Sequence, residues 1–150
     1  MPDVLRQIGT IARALDSISN REFKQLALNK GQYLYLVRIC ERPGVITDHL
    51  AAQLQVDRTT AARAVQKLVM QGLVEKRAAT QNRKNKELFP TAAGLKRYVT
   101  IHRENVYSNQ VALTELTSTE AAQLSQLLTK VSHQVTADWE KVQQGQTRPY

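Results

Sequence analysis

Residues 46–90 restrict the fold more than any other stretch, because they combine two short helical patterns with a basic hairpin pattern. We expect the first helix to begin with Thr47 as its cap, since the hydroxyl can accept a hydrogen bond from an unpaired N–H of the first turn. After a two-residue turn, Asp57 can cap a second helix. That helix extends to about Gln71, where Gly72 can adopt the left-handed conformation that commonly ends helices. The stretch therefore predicts a helix-turn-helix unit followed by a β-hairpin.

The second helix of this unit has two chemically distinct faces. At 100° per residue, one face is apolar and consists of Ala61, Ala64, Val65, Leu68 and Val69. The other face carries only Thr, Gln, Arg and Lys, and it consists of Thr59, Thr60, Arg63, Gln66 and Lys67. Arg58 lies at the helix tip. Such side chains can donate to phosphate oxygens and base edges without repelling them, so the pattern predicts a DNA-recognition helix.

The hairpin pattern follows at once, with strands predicted at 73–77 and 86–89. Its tip, residues 80–85, is polar and basic and contains no aliphatic side chain. Such a tip can reach a DNA backbone or a narrow minor groove, whose negative potential attracts Arg and Lys. We therefore assign DNA contacts to Arg83, Lys84 and Lys86, and further phosphate contacts to Thr47 and the helix N-termini.

The net charge supports a polyanionic partner. The chain of 150 residues has a formal net charge of +8 and a pI of about 9.9. Between residues 57 and 86 only Asp57 and Glu75 are acidic, whereas the basic residues are Arg58, Arg63, Lys67, Lys76, Arg77, Arg83, Lys84 and Lys86. A solvated surface helix with a charged loop is the plainer explanation, but charge concentrated on this stretch favours DNA binding.

Other partners remain open at the level of charge alone. A non-specific architectural or RNA-binding protein would also be basic, and a protein-interaction module could use its long helices to hold a partner. Aromatic residues, on which single-stranded bases stack, are nearly absent from the basic hairpin, where only Phe89 occurs. The intact basic face around Arg63 and Lys67 argues against an interaction module. Double-stranded DNA is therefore the favoured partner.

Heptad-like helices are predicted at both ends of the chain. Residues 3–26 carry apolar side chains at spacings of four and three, namely Val4, Ile8, Ile11, Leu15 and Ile18. A capping box at 117–120 opens a last helix to about residue 143, with apolar positions Ala121, Leu124, Leu128, Val131, Val135, Trp139 and Val142. Between them we expect a supporting helix over 30–41, capped by Asn29, and a helix over 91–111, capped by Thr91. Burial within one chain would explain the apolar positions of the first and last helices, but burial of these positions against a second copy of the chain is favoured.

The run HLAAQLQVDRTTAARAVQKLVMQGLVEKR, the basic hairpin after it, and a TAAG that reopens a helix resemble the MarR family of bacterial transcription regulators. The resemblance covers essentially the whole chain. The family's wing usually carries Asp-x-Arg a fixed distance before Leu-Thr, whereas this chain has Asn82-Arg83-Lys84 and Pro90-Thr91. The resemblance therefore does not imply the ion pair that would stiffen the wing. Arg83 is expected to make the DNA contact that the arginine of the family's pattern would make.

The fold class we expect is mainly α with a small β-hairpin wing, that is, a winged helix-turn-helix with N- and C-terminal dimerisation helices. The predicted regions are 1–28 for N-terminal dimerisation, 29–91 for DNA binding and 92–150 for C-terminal dimerisation, within one integrated domain. The resemblance implies a homodimeric repressor that a small-molecule effector releases from an inverted-repeat operator. Arg13, Tyr33 and His102 are the candidate effector-binding residues.

The sequence contains no pattern typical of a catalytic site, a metal site or a membrane-spanning segment. There is no Ser-His-Asp spacing, glycine-rich phosphate loop or paired-carboxylate site, so we expect neither an enzyme nor a cofactor. His49, His102 and His133 have no partner at metal-ligand spacing, so no metal site is predicted. Cys40, the single cysteine, falls on an apolar helix face and is interpreted as a small buried hydrophobe. No apolar run is long enough to span a bilayer, and a cytoplasmic location is expected.

Overall fold

The computed structural model describes residues 1–79 and 84–150, and within them it is mainly helical with a small antiparallel sheet. This confirms the predicted fold class. In chain order the elements are α1 (Val4–Glu22), α2 (Gln32–Glu41), β1 (Val45–Ile46), α3 (Thr47–Leu54), α4 (Arg58–Met70), β2 (Val74–Ala78), β3 (Lys86–Pro90), α5 (Ala92–Ala112) and α6 (Ser118–Gln143). The helix-turn-helix is α3 and α4, and the hairpin is β2 and β3.

The sheet has the strand order β1-β3-β2, with both pairs antiparallel. The strand β1 was not predicted, because two residues are too few to show an alternating pattern. Val45 pairs with Leu88, and the Gly44 N–H donates to the Leu88 carbonyl at 2.8 Å. Gly44 has a φ of 91°, a left-handed conformation that glycine adopts without strain. This pairing connects the start of α3 to the wing, so the helix-turn-helix and the hairpin form one structure.

The apolar faces predicted for α3 and α4 are buried together. Leu50, Val65, Leu68 and Leu88 are each fully buried, in a core that also takes in α2. Burial of this kind stabilises by roughly 1.5–3 kcal/mol for each large aliphatic side chain, and it fixes which face of α4 remains outside. The polar face of α4 is therefore presented to solvent by the packing of the opposite face.

A close approach fixes the start of α5. A Cβ built on Gly94 would lie 2.1 Å from the Leu73 carbonyl oxygen, so no side chain fits at this position. Thr91 strengthens the junction, because its hydroxyl donates to the Gly72 carbonyl at 2.6 Å and accepts from the Gly94 N–H at 3.1 Å. The predicted cap at Thr91 is confirmed, and the same residue ties α5 to the end of α4.

Two predicted caps and one predicted helix end are wrong. The α3 helix is capped by Ile46 without a side-chain bond, because strand pairing holds Ile46 extended and Thr47 is already the first helical residue. Asn29 does not cap α2, which begins at Gln32 after a left-handed Gly31. The first helix ends at Glu22 and not near residue 26. The residues after it form i→i+3 turns, in which the Leu26 N–H donates to the Phe23 carbonyl and the Ala27 N–H to the Lys24 carbonyl. The caps at Asp57 and at Thr117 with Glu120 are confirmed.

Backbone contacts divide the described residues into two compact units, 1–105 and 106–150. The first contains the core described above. In the second, α6 begins at its capping box, where the Glu120 carboxylate accepts from the Thr117 N–H at 2.8 Å. All of α6 is described, and none of its residues is buried. Among the described residues no helix combines the length and the apolar character needed to cross a membrane.

Candidate nucleic-acid interface

The start of α4 is organised by Asp57. Its carboxylate accepts hydrogen bonds from the Thr60 N–H at 2.7 Å and from the Thr60 hydroxyl at 2.8 Å. These bonds, chiefly the one from the backbone, hold the pKa of Asp57 below its ordinary value, so the carboxylate is charged at neutral pH. Because the Thr60 hydroxyl already donates to Asp57, it can offer an outside partner only an acceptor. Arg58 is also engaged, in an exposed ion pair with Asp48 of α3 at 3.6 Å.

The remaining polar side chains of α4 point into solvent. Thr59, Arg63, Gln66 and Lys67 are all exposed, as predicted from the helical pattern. Arg63 forms no hydrogen bond or ion pair with any residue in the described ranges. Its guanidinium, with five donors in a rigid fork, is thus presented outward on the middle turn of the helix. The face offers several donors and no carboxylate beyond the one at its cap.

Two glutamines that the sequence did not single out bond to backbone carbonyls and contribute to the position of α4. The buried Gln32 of α2 donates from Nε2 to the Ala64 carbonyl at 2.6 Å. At the far end of α4, Gln71 donates from Nε2 to the Ala27 carbonyl at 2.9 Å. A buried amide is costly unless it is hydrogen-bonded, so the Gln32 contact holds α4 against α2. The Gln71 amide is satisfied only at Nε2, since among the described residues its buried Oε1 has no hydrogen-bond partner. No sequence pattern distinguishes them from ordinary surface glutamines.

The wing presents different chemistry on its two faces. On the outer face the Arg77 guanidinium carbon lies 4.2 Å from the centre of the Phe89 ring, and Arg77 forms an ion pair with Glu75. Arg77 thus contacts two other residues of the wing. On the inner face Lys76 reaches α4, where its ammonium donates to Gln66 Oε1 at 3.2 Å. The wing and the recognition helix are joined by this bond.

A cleft of about 220 Å³ lies between the start of α3 and the wing. It brings together three predicted DNA contacts, Thr47, Lys84 and Lys86, and adds Lys76. Its full lining is Ile46, Thr47, Asp48, Lys76, Lys84, Asn85 and Lys86. With three ammonium groups against one carboxylate, next to the positive end of α3, the cleft suits a phosphate oxygen. Arg83, the other predicted wing contact, lies outside the described residues, as does residue 82.

The three candidate effector residues lie on different elements, and no described contact joins them. Tyr33 accepts a hydrogen bond from the Ser19 hydroxyl at 3.2 Å, and its ring centre is 4.8 Å from that of Phe23. Arg13 lies on α1, and His102 lies on α5 against the Tyr98 ring. The cleft described above includes none of the three. Their role stays a prediction.

The side chains that could serve as a nucleophile or as metal ligands do not form a site in the described part of the chain. Burial, together with the charge of Glu41, raises the pKa of Cys40 to about 11, so the half-buried thiol is protonated at neutral pH. Across residues 1–79 and 84–150, no three His, Cys, Asp or Glu side chains are grouped so as to hold a metal ion.

The comparisons agree with this geometry. The pattern that defines the MarR family matches residues 28–86, which span the end of the α1–α2 connection through the start of β3. An uncharacterized HTH-type transcriptional regulator of Bacillus subtilis (strain 168), YybA, is 55% identical over 150 residues, which is 100% of both chains.

Two solved structures from Listeria monocytogenes are equally similar in sequence. A putative MarR family transcriptional regulator complexed with 26mer DNA is 52% identical, with a TM-score of 0.96 and coverage of 100% of both chains. A SlyA-like transcription regulator is also 52% identical, with a TM-score of 0.93 and the same 100% coverage. The similarity therefore extends beyond the winged helix to both ends of the chain. The chain belongs to the MarR family of winged helix-turn-helix transcriptional regulators.

Proposed function

We propose that this regulator is a homodimeric repressor that binds an inverted-repeat operator in double-stranded DNA and is released by a small-molecule effector. The observation that carries the proposal is the exposed polar face of α4 beside the lysine-lined cleft of the wing. The opposite face of α4 is buried, so the polar face is the surface that a recognition helix would place in a major groove.

The contacts divide into two groups by their place on this surface. Thr59, Arg63, Gln66 and Lys67 lie along α4, where base edges would be reached. Thr47, Lys84 and Lys86 line the cleft, where a phosphate would sit, and Arg58 and Arg83 would add backbone contacts. The Thr60 hydroxyl would act as an acceptor, because it already donates its hydrogen bond to Asp57. Such a division fits protein–DNA interfaces in general, in which half or more of the hydrogen bonds go to phosphate and sugar.

The similar regulator from Listeria monocytogenes supports this assignment. That protein was crystallised with 26mer DNA, and its fold matches this chain over the full length. At 52% identity the same use of the winged helix is the simplest expectation. We therefore extend DNA binding to this chain as part of the proposal.

Dimerisation is proposed from the helices at the two ends of the chain, over 1–28 and 92–150. The α1 and α6 helices leave large apolar side chains exposed, including Leu5, Ile11 and Leu15, and Leu124, Leu128 and Trp139. Exposed apolar stripes of this length mark surfaces that bind another protein. A second copy would cover the stripes, and a two-fold axis would place two α4 helices about 34 Å apart, matching successive major grooves.

Effector release is proposed as a shift between two spacings of the paired α4 helices. A ligand that binds better to a dimer with the wrong spacing would draw the population away from DNA. Arg13, Tyr33 and His102 are our candidate residues for such a ligand.

Arg63→Ala is the variant that tests the proposed interface. On a duplex recovered by selection from a random library, we expect its affinity to fall about tenfold or more, since one bidentate base contact is worth about 1–3 kcal/mol. Lys84→Ala should weaken binding evenly across sequences and lower the salt slope by about 1.

Arg103→Ala provides a charge-matched control, because Arg103 is exposed on α5 and belongs neither to α4 nor to the wing. It should change affinity little, and all three variants should keep the helical circular dichroism of the wild type. Unchanged affinity of Arg63→Ala would reject the role assigned to the α4 face.

A further inference from the structure

Lys76 and Gln66 form a side-chain contact between the wing and the recognition helix. The ammonium of Lys76 lies 3.2 Å from Gln66 Oε1. An ammonium group can only donate, so the atom that faces Lys76 must be the amide oxygen and not the amide nitrogen. The orientation of the Gln66 amide is therefore set by the chemistry of its neighbour.

The position of Lys76 in the sheet restricts where its ammonium group can lie. Lys76 pairs with Leu88 and follows Val74 by two residues, so the three side chains start from the same face of the sheet. Leu88 and Val74 are buried, and that face is turned toward the core. The ammonium of Lys76 must therefore emerge at the rim of the core, along α4 or in the cleft next to Thr47.

This contact changes what Gln66 can offer to a base. A glutamine reads adenine with both amide atoms, since Oε1 accepts from adenine N6 while Nε2 donates to N7. Lys76 occupies one of the two lone pairs of Oε1 and places a positive charge beside it, which disfavours a further donor such as adenine N6. The two N–H donors of Nε2 are then the group of Gln66 best able to meet a base. Among the described residues Nε2 of Gln66 has no hydrogen-bond partner. Guanine presents two acceptors in the major groove, N7 and O6, and suits such a donor pair.

We propose that Lys76 sets the base preference of Gln66, so that Gln66 selects guanine and discriminates against adenine. The inference rests on the proposed function, because it requires α4 to lie in a major groove. Lys76 is a positioning residue in this scheme, since it touches Gln66 and not the base. Gln66 is the residue that contacts DNA.

The test compares the sequences that five proteins select from a random duplex library. Gln66→Ala identifies the base pair that Gln66 reads, as the position at which preference disappears. At that position the wild type should select guanine. Lys76→Met keeps the aliphatic stem but removes the donor, and it should raise the ratio of adenine to guanine about tenfold. Lys76→Arg keeps a donor and should retain guanine.

Lys86→Met is the charge-matched control, because Lys86 lines the same cleft and loses the same charge. It should weaken binding on all duplexes without changing the base at the Gln66 position. Adenine in the wild type, an unchanged preference in Lys76→Met, or a Gln66→Ala protein with no altered position would each overturn the inference. If the wild type itself selects no motif, the proposed function fails and the inference fails with it.

Discussion

Apolar side chains are buried in the winged-helix region, residues 29–91, but exposed on the last helix, α6. In the winged-helix region Leu36, Leu50 and Leu68 are fully buried within a single chain. In α6, which is wholly described, Leu128 is 40% exposed and Trp139 is 37% exposed, and no residue is buried. The first region is buried within one chain, in a core that also includes Phe23, Leu28 and Ile101 from the flanking segments. The apolar stripe of α6 is exposed.

Local helix chemistry does not explain this difference. The α4 helix begins with the carboxylate of Asp57 accepting from Thr60, and α6 begins with a complete capping box of Thr117 and Glu120. Both helices therefore begin with short-range hydrogen bonds to a cap residue. The contrast lies in tertiary packing, and it is the reason why we propose that a second chain covers α6.

Leu128→Glu should have the largest effect, because it places a carboxylate in the exposed stripe that we expect a second copy to cover. We expect the molar mass in solution to fall to that of one 16.9 kDa chain. Affinity for the selected operator should fall by about two orders of magnitude, because each head would then bind alone. Light scattering and a binding titration measure the two effects.

Gln126→Glu is the matched control, since it adds the same charge to an exposed polar position on the opposite side of α6. It should remain dimeric and retain affinity. A Leu128→Glu protein that keeps the wild-type mass would show that the α6 stripe is covered by something other than a second copy.

Leu68→Ala should destabilise the winged-helix region without changing the dimer interface. The side chain is fully buried, and truncating it leaves a cavity that costs about 2–5 kcal/mol of unfolding free energy. Urea titration at one fixed protein concentration measures this loss, since dimerisation makes stability depend on concentration. Met70→Ala, which truncates a side chain that is 80% exposed, should change stability by less than about 0.5 kcal/mol. Equal losses at the two positions would contradict the packing described here.

Asp57→Asn and Glu120→Gln should have the smallest effects, and these effects should be similar in the two regions. Hydrogen bonds from Thr60 and Thr117 lower the pKa of the two carboxyls in the folded chain. Their contribution to stability is therefore present above the unfolded pKa values of about 3.9 and 4.3, and it is lost as the pH falls through the lower folded values.

Each amide variant keeps an oxygen acceptor but cannot ionise. The difference in urea midpoint between wild type and variant should thus be largest near neutral pH and should shrink in acid. A difference that stays constant from neutral pH to below about pH 4 would show that the charge of the cap is irrelevant.

Helical periodicity and capping chemistry predicted much of this fold, since both are read over a few neighbouring residues. The faces of α4, the cap at Asp57 and the capping box at Thr117 are of this kind. The cap of α3 was wrongly assigned to Thr47 instead of Ile46, because β1 forms by pairing with a strand some forty residues away along the chain. Two β-branched residues after Pro43 and Gly44 are the one local signal that could have indicated that strand.

The candidate site was predicted as a set of residue types, but not as a set of contacts. The exposed donors of α4 followed from its periodicity. The bonds from Gln32 to Ala64 and from Lys76 to Gln66 depend on how α2, α4 and the wing pack together. No spacing within the sequence encodes them, because each joins elements that are brought together only by the core.

We propose that two winged-helix regions, each buried within its own chain, are joined through exposed apolar helices. The symmetry of the selected DNA is a direct test of this proposal. Purified wild-type protein would be used to select duplexes from a random library at physiological salt. We expect a single inverted repeat with half-site centres about one helical turn, roughly 10 base pairs, apart. A solitary half-site, a direct repeat, or binding without any recovered motif would contradict the proposal.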